Sequence, residues 1–145
     1  MLVRFLALTS FLLFSACIEG TPEITVGTGA ENFAPLNDGD EVQIARGLQG
    51  GTHIWGAVRA SRGLDPIQIE LKYSVLKNGV EIGGEPSVFR INLIGHGEFN
   101  EVAGLRGFVP DPQAVAGQEL VLKIVATDNG GRTAEHQRKV IARMP

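Results

Sequence analysis

The sequence contains little of several residue types that stabilise small proteins or carry their chemistry. It has one cysteine, two methionines, one tryptophan and one tyrosine among 145 residues. A single cysteine cannot form an internal disulfide, and a domain of this size buries about 68% of its unfolded surface, which is enough for a core without cross-links. The formal net charge is −3. It argues against nucleic acid as a partner, because contacts to phosphates require a basic surface.

Catalytic motifs are also missing. The sequence has no serine-centred nucleophile elbow, no HExxH and no phosphate-binding loop. Glu98 and Glu101 follow His96 closely, and this is the only place where an acid and a base are expected to meet. They fall within residues 95–117, which we interpret as an irregular crossover that contains at most an extra strand such as 101–105. We therefore expect a protein that is not an enzyme and that has no cofactor.

Glycine, in contrast, is abundant. The 19 glycines make up about 13% of the chain, nearly twice the average of about 7%. Together with seven prolines, they indicate many turns between short elements. No segment shows sustained helical periodicity, so the composition favours an all-β chain.

The first residues have the features of an export signal. Arg4 precedes an apolar run over residues 5–16, which is too short for a membrane span of about 20 residues and matches a signal peptide. The run ends in Phe14-Ser15-Ala16-Cys17, which resembles the lipobox of bacterial lipoproteins, with Phe14 in place of the usual leucine. This resemblance implies that residues 1–16 are a cleaved signal peptide and that Cys17 is lipidated. A plain secretory signal or an uncleaved anchor is the alternative.

Lipidation would explain the single cysteine and would place the chain at a membrane. Each buried methylene contributes about 0.8 kcal/mol, so two or more acyl chains anchor a protein durably. Ile18 follows the cysteine, where lipoproteins retained at the inner membrane have an aspartate. The resemblance therefore implies a lipid anchor in the cell envelope, at the outer membrane, facing the periplasm or the cell exterior.

Alternating apolar residues predict the strands. The clearest pattern covers residues 67–76, with Ile67, Ile69, Leu71, Tyr73 and Val75 expected inward, and the Asn78-Gly79 turn follows it. The other predicted strands are 41–46, 52–60, 80–82, 87–94, 119–127 and 132–142, with a shorter one at 23–27. These strands predict a β-sandwich of about seven antiparallel strands over residues 31–145. A tether at residues 17–30 would precede it.

The last hairpin gives a more specific indication of the fold. Residues 119–133 read ELVLKIVATDNGGRT and resemble the closing strands of bacterial immunoglobulin-like domains of the fibronectin, cadherin and PKD types. The resemblance implies an immunoglobulin-like sandwich. It implies no particular function, because this fold serves binding, spacing and accessory roles alike.

The predicted strand 52–60 carries the strongest candidates for a binding site. His53, Trp55 and Arg59 alternate with Ile54 and Val58 and should share one face. Tryptophan and arginine are enriched in the residues that dominate protein interfaces. We expect this face to bind another envelope protein, with Phe99 and Phe108 from the long loop as secondary anchors. The alternative interpretation is that Trp55 packs in the core and that a backbone carbonyl satisfies His53.

Metal handling is a second hypothesis, and a purely structural spacer is a third. Gly50-Gly51-Thr52-His53 faintly resembles the strand start of periplasmic copper chaperones, which are cupredoxin-like sandwiches. Those proteins hold copper(I) with methionine sulfurs, whereas the only methionines here are Met1 and Met144. A site of His53, His96 and His136 for zinc or copper(II) stays conceivable. The three histidines have no ligand spacing, so we assign no metal site.

Overall fold

Almost all regular structure in this protein is β-strand. The computed structural model describes residue 18 and residues 20–145, so the predicted signal peptide and Cys17 lie outside the described residues. The strands are β1 (Ile24–Thr28), β2 (Ala34–Pro35), β3 (Asp40–Arg46), β4 (Thr52–Ala60), β5 (Ile69–Lys77), β6 (Val80–Glu81), β7 (Ser87–Ile91), β8 (Ile94–His96), β9 (Phe99–Phe108), β10 (Glu119–Thr127) and β11 (Thr133–Arg143), with one helical turn, α1 (Pro112–Val115), before β10. The all-β prediction is confirmed.

The strands form two layers that β3 joins. The front sheet has the order β2-β1-β4-β9-β8. The back sheet has the order β11-β10-β5. Its other two strands, β6 and β7, each pair with a different part of β5. The first part of β3 runs parallel to β11, and its end pairs antiparallel with β4. The hydrogen bonds therefore connect all eleven strands, and the arrangement is that of a sandwich.

The structure has more strands than the seven or so that the sequence predicts, and one strand pair is parallel. The largest difference lies in residues 95–117, predicted to be irregular apart from an extra strand such as 101–105, where β9 forms a ten-residue strand. Ala103 and Gly104 together oppose Ala57 at a bulge, between the pairs Val102–Val58 and Leu105–Gly56. A bulge shifts the alternation of side chains by one residue. Apolar periodicity therefore could not reveal this strand.

Two other segments differ in their boundaries. The predicted strand 87–94 divides into β7, which pairs with β5 in the back sheet, and the start of β8, which pairs with β9 in the front sheet. Residues 17–30, predicted as a tether with a short strand at 23–27, include β1 (Ile24–Thr28), which pairs with β4 and belongs to the front sheet. Ile67, expected inward, is exposed, because Gln68 has a φ of +50° and β5 begins only at Ile69.

The core lies between the two sheets and is centred on Tyr73 of β5, the largest fully buried side chain. Its ring fits beneath two glycines of the front sheet, Gly56 in β4 and Gly107 in β9. A Cβ atom at Gly56 would lie 2.7 Å from the ring, and one at Gly107 would lie 2.4 Å from Val75 Cγ2 and 2.8 Å from the ring. The absence of side chains at these two positions allows the ring to pack directly against the opposite sheet.

The Tyr73 hydroxyl is buried and has no hydrogen-bond partner among the described residues. Burial, and then the nearby negative charge of Glu81, raise the pKa of this phenol far above its ordinary value. The hydroxyl is therefore neutral at any physiological pH.

No helix in the described part of the chain is long and apolar enough to cross a membrane.

The unpartnered hydroxyl gives a test of this packing. We expect Tyr73→Phe to leave the free energy of unfolding unchanged or to raise it by up to about 1 kcal/mol, because it removes a buried polar group that has no partner. Gly107→Ala should lower it by about 1–3 kcal/mol through overpacking. Urea denaturation of the full chain measures both. If Tyr73→Phe lowered the free energy of unfolding by more than about 1 kcal/mol, the Tyr73 hydroxyl would have to make a stabilising hydrogen bond, which would contradict its description as unpartnered.

Candidate binding face and groove

The outer surface of the front sheet brings the predicted site residues onto one face. Ile54 and Val58 of β4 point into the core, so His53, Trp55 and Arg59 point away from it, as the alternation predicts. On the neighbouring strand β9, Phe108 pairs with His53, Arg106 with Trp55, and Glu101 with Arg59. We call this surface the aromatic face, defined by His53, Trp55, Arg59, Phe99, Arg106 and Phe108.

Arg59 lies between two phenylalanine rings at one end of this face. Its Cζ atom is 3.9 Å from the centroid of the Phe99 ring and 4.4 Å from that of Phe33. Its Nε and terminal nitrogens also lie 3.0 Å from a carboxylate oxygen of Glu101. Contacts of a guanidinium with aromatic rings contribute about 0.5–1 kcal/mol at exposed sites. Arg59 is thus held in one orientation while its side chain stays 38% exposed.

Phe33 also contacts the Arg59 guanidinium, although it was not among the predicted site residues. It precedes β2 and folds back over Gly27 of β1, where a Cβ atom would lie 2.6 Å from the Phe33 ring. A glycine within an apolar strand often marks a site of close approach. The glycine at position 27 is therefore the feature of the sequence from which a side chain packed over β1 could have been predicted.

Trp55 and His53 stack edge to face in the middle of the aromatic face. Their ring centroids are 4.2 Å apart with an interplanar angle of 82°. Trp55 is half-buried on the outer side of β4, not between the sheets. The Arg106 guanidinium lies 5.4 Å from the centroid of the Trp55 ring. No carboxylate within the described residues forms an ion pair with Arg106, which leaves an exposed positive charge beside the indole.

His53 is buried on this face, with 8% of its surface exposed. Its Nε2 atom has no hydrogen-bond partner among the described residues, so the backbone carbonyl of the alternative interpretation is not found at this nitrogen. Burial, and secondly the charge of Arg106, lower the pKa of the His53 imidazole. The ring is therefore neutral near pH 7.

A groove of about 610 Å³ opens at the end of the aromatic face next to His53. The turn between β3 and β4, the start of β4, residues 87–89 of β7 and the end of β9 line it. Leu48 at the tip of the turn is fully exposed, and Val88 and Phe108 are 58% and 51% exposed. Arg106 is the only charged residue in the lining. The groove thus combines exposed apolar side chains and a single cation with the uncharged polar side chains of Gln49, Thr52 and Ser87.

The three histidines of the metal hypothesis have separate surroundings. His53 contacts Trp55, His96 lies 3.6 Å from Glu101, and His136 accepts a hydrogen bond of 3.0 Å at Nδ1 from the Val26 backbone N–H. In the part of the chain that the structure describes, no group of three His, Cys, Asp or Glu side chains could hold a metal ion. The structure therefore does not bring His53, His96 and His136 together.

No protein-family model matches the chain, and no curated protein matches it. The aromatic face and the groove must therefore be interpreted from their own chemistry.

The lowered pKa of the His136 imidazole makes stability depend on pH. Burial and the charge of Arg138 lower the pKa of this imidazole against the opposing effect of Asp38. Below about pH 6.5 the unfolded chain takes up protons that the folded chain excludes, so stability falls as the pH decreases. We expect His136→Asn, which keeps an acceptor near the position of Nδ1, to reduce this acid loss.

The measurement is urea denaturation from pH 8 to pH 5 with His136→Ala as the matched variant. At pH 8 the alanine variant should lose about 1 kcal/mol, because the Val26 N–H loses its acceptor, whereas His136→Asn should lose less. An unchanged pH profile in both variants would show that His136 contributes nothing to the acid sensitivity.

Proposed function

We propose that this chain is a lipid-anchored, non-catalytic binding module of the bacterial cell envelope, built on an immunoglobulin-like sandwich. The aromatic face would contact another envelope protein. The observation that carries the proposal is that His53, Trp55, Arg59, Phe99 and Phe108 all lie on one sheet face, together with Arg106.

The contrast with the opposite surface supports a binding role for this face. The outer side of the back sheet has charges of both signs in ion pairs, such as Lys123 with Glu135 at 3.2 Å and Arg90 with Glu70 at 3.1 Å. Such a surface is typical of a sheet that faces water. The aromatic face instead has the aromatic and arginine side chains that most often dominate interface energetics, and Arg59 is already held in place before binding.

The distance between the sandwich and the proposed anchor is short. β1 begins at Ile24, which is 24 − 17 = 7 residues after Cys17, and an extended segment of that length spans at most about 25 Å. A lipid on Cys17 would therefore hold the domain close to the membrane surface, and partners would be other proteins at the same membrane. The sequence after the cysteine favours the outer membrane.

Crosslinking in cells tests the proposal. We expect the wild-type protein to capture a discrete envelope protein, identified by mass spectrometry, and we expect Trp55→Ala and Arg59→Ala each to reduce that adduct at least tenfold. Both substitutions remove outward-facing groups, so the variants should still fold. The matched control is Lys123→Ala, which removes a paired cation from the outer side of the back sheet and should leave the adduct unchanged.

Two results would contradict the proposal. An adduct that survives in Trp55→Ala and Arg59→Ala would place the interface elsewhere. The absence of any adduct in wild type would favour a structural spacer. A thermal melt of each variant separates lost binding from unfolding, since a Trp55→Ala chain that no longer folds would show that Trp55 is a structural residue.

A further inference from the structure

The groove lies along the free edge of a strand. β7 pairs with β5 on one side only. Among the described residues, no backbone group of Ser87–Ile91 bonds to anything except β5. The groove is lined by three consecutive residues of this strand, Ser87, Val88 and Phe89. Because successive strand residues point to opposite faces, a cavity that contacts all three must run along the edge of the strand.

The walls of the groove define the chemistry of an occupant. Val88, Phe89, Phe108 and Leu48 supply apolar surface, and three of them are exposed. Arg106 supplies a positive charge, and the lining contains no acidic residue. A second copy of this chain that paired symmetrically through the same groove would bring the same cation to the contact without a carboxylate to match it. Charge complementarity therefore favours a different partner, one that presents a carboxylate next to apolar side chains.

We propose that the groove binds an extended peptide segment of a partner protein, which adds a strand to the free edge of β7. The peptide would place an apolar side chain against Val88 and Phe108 and a carboxylate beside the Arg106 guanidinium. A five-residue strand is about 17 Å long, so about five peptide residues would pair. Strand addition of this kind takes affinity from backbone hydrogen bonds and specificity from side-chain pockets. This inference rests on the proposed binding function and assigns it a ligand class.

The test uses a phage library of random heptapeptides, selected against the full chain in detergent micelles. We expect enrichment of sequences that have Asp or Glu next to an apolar residue. A selected peptide should bind at least tenfold more weakly to Arg106→Glu than to wild type. Arg62→Glu, which reverses an exposed charge outside the groove, should bind that peptide as wild type does.

Two further measurements distinguish strand addition from simple charge attraction. Methylation of alternate backbone nitrogens in the selected peptide should weaken binding at least tenfold, because it removes donors to β7. Hydrogen exchange of the amides within Ser87–Ile91 should slow when the peptide binds. Unchanged binding after methylation, or unchanged exchange in β7, would overturn the proposal.

The outcomes also separate this inference from the proposed function. No enrichment over empty micelles, or equal binding to Arg106→Glu, would overturn the peptide groove. If crosslinking still depended on Trp55 and Arg59 in that case, the binding function would stand and the partner would use the aromatic face alone. If no peptide were enriched and crosslinking did not depend on Trp55 and Arg59, the proposed binding function itself would be contradicted.

Discussion

The packing of the Tyr73 ring against bare backbone is the constraint on which the rest of the structure depends. Gly56 and Gly107 lie directly above the ring, and neither position has room for a side chain. The ring therefore determines how closely β4 and β9 approach β5. Since β4 and β9 pair with each other, the same contact also sets which of their residues face the core and which face outward.

The aromatic face is a consequence of that arrangement. With Gly56 and Gly107 facing inward, Trp55 and Arg106 must point outward from adjacent strands and lie side by side. The bulge opposite Ala57 then shifts the register of β9 by one residue, so that Arg59 pairs with Glu101 and lies against the Phe99 ring. The groove begins where β9 ends beside β7, at the open edge between the two sheets. The residues of the proposed binding face thus lie on strands that the core holds in position.

Much of this fold can be predicted from the sequence, because alternation is a local property of the chain. Strands β4, β5 and β10 have regular inward-facing apolar residues, whereas β11 has them only near its end, at Val140 and Ala142. The outward direction of His53, Trp55 and Arg59 follows from the same pattern. β9 could not be predicted in this way. Its bulge interrupts the alternation, and Gly104 at the bulge has a φ of +79°, so the segment resembles a loop.

The parts of the site that the sequence does not reveal depend on contacts between distant segments. Phe33 joins Arg59 only because the chain before β2 folds back over Gly27. Arg106 was missed because it lies just beyond the extra strand 101–105, in residues that were predicted as loop. The groove combines the turn after β3 with β7 and the end of β9, which are far apart in the chain and meet only through sheet packing.

The central claim is that the front sheet, through its aromatic face, is where this protein meets its partner. The most direct measurement places the photoreactive residue p-benzoylphenylalanine at one position at a time in cells. The positions are Phe99 and Phe108 on the aromatic face, and Lys123 and Gln137 on the outer side of the back sheet. The account predicts a common adduct from positions 99 and 108 and none from 123 and 137. Adducts from the back sheet alone would contradict it.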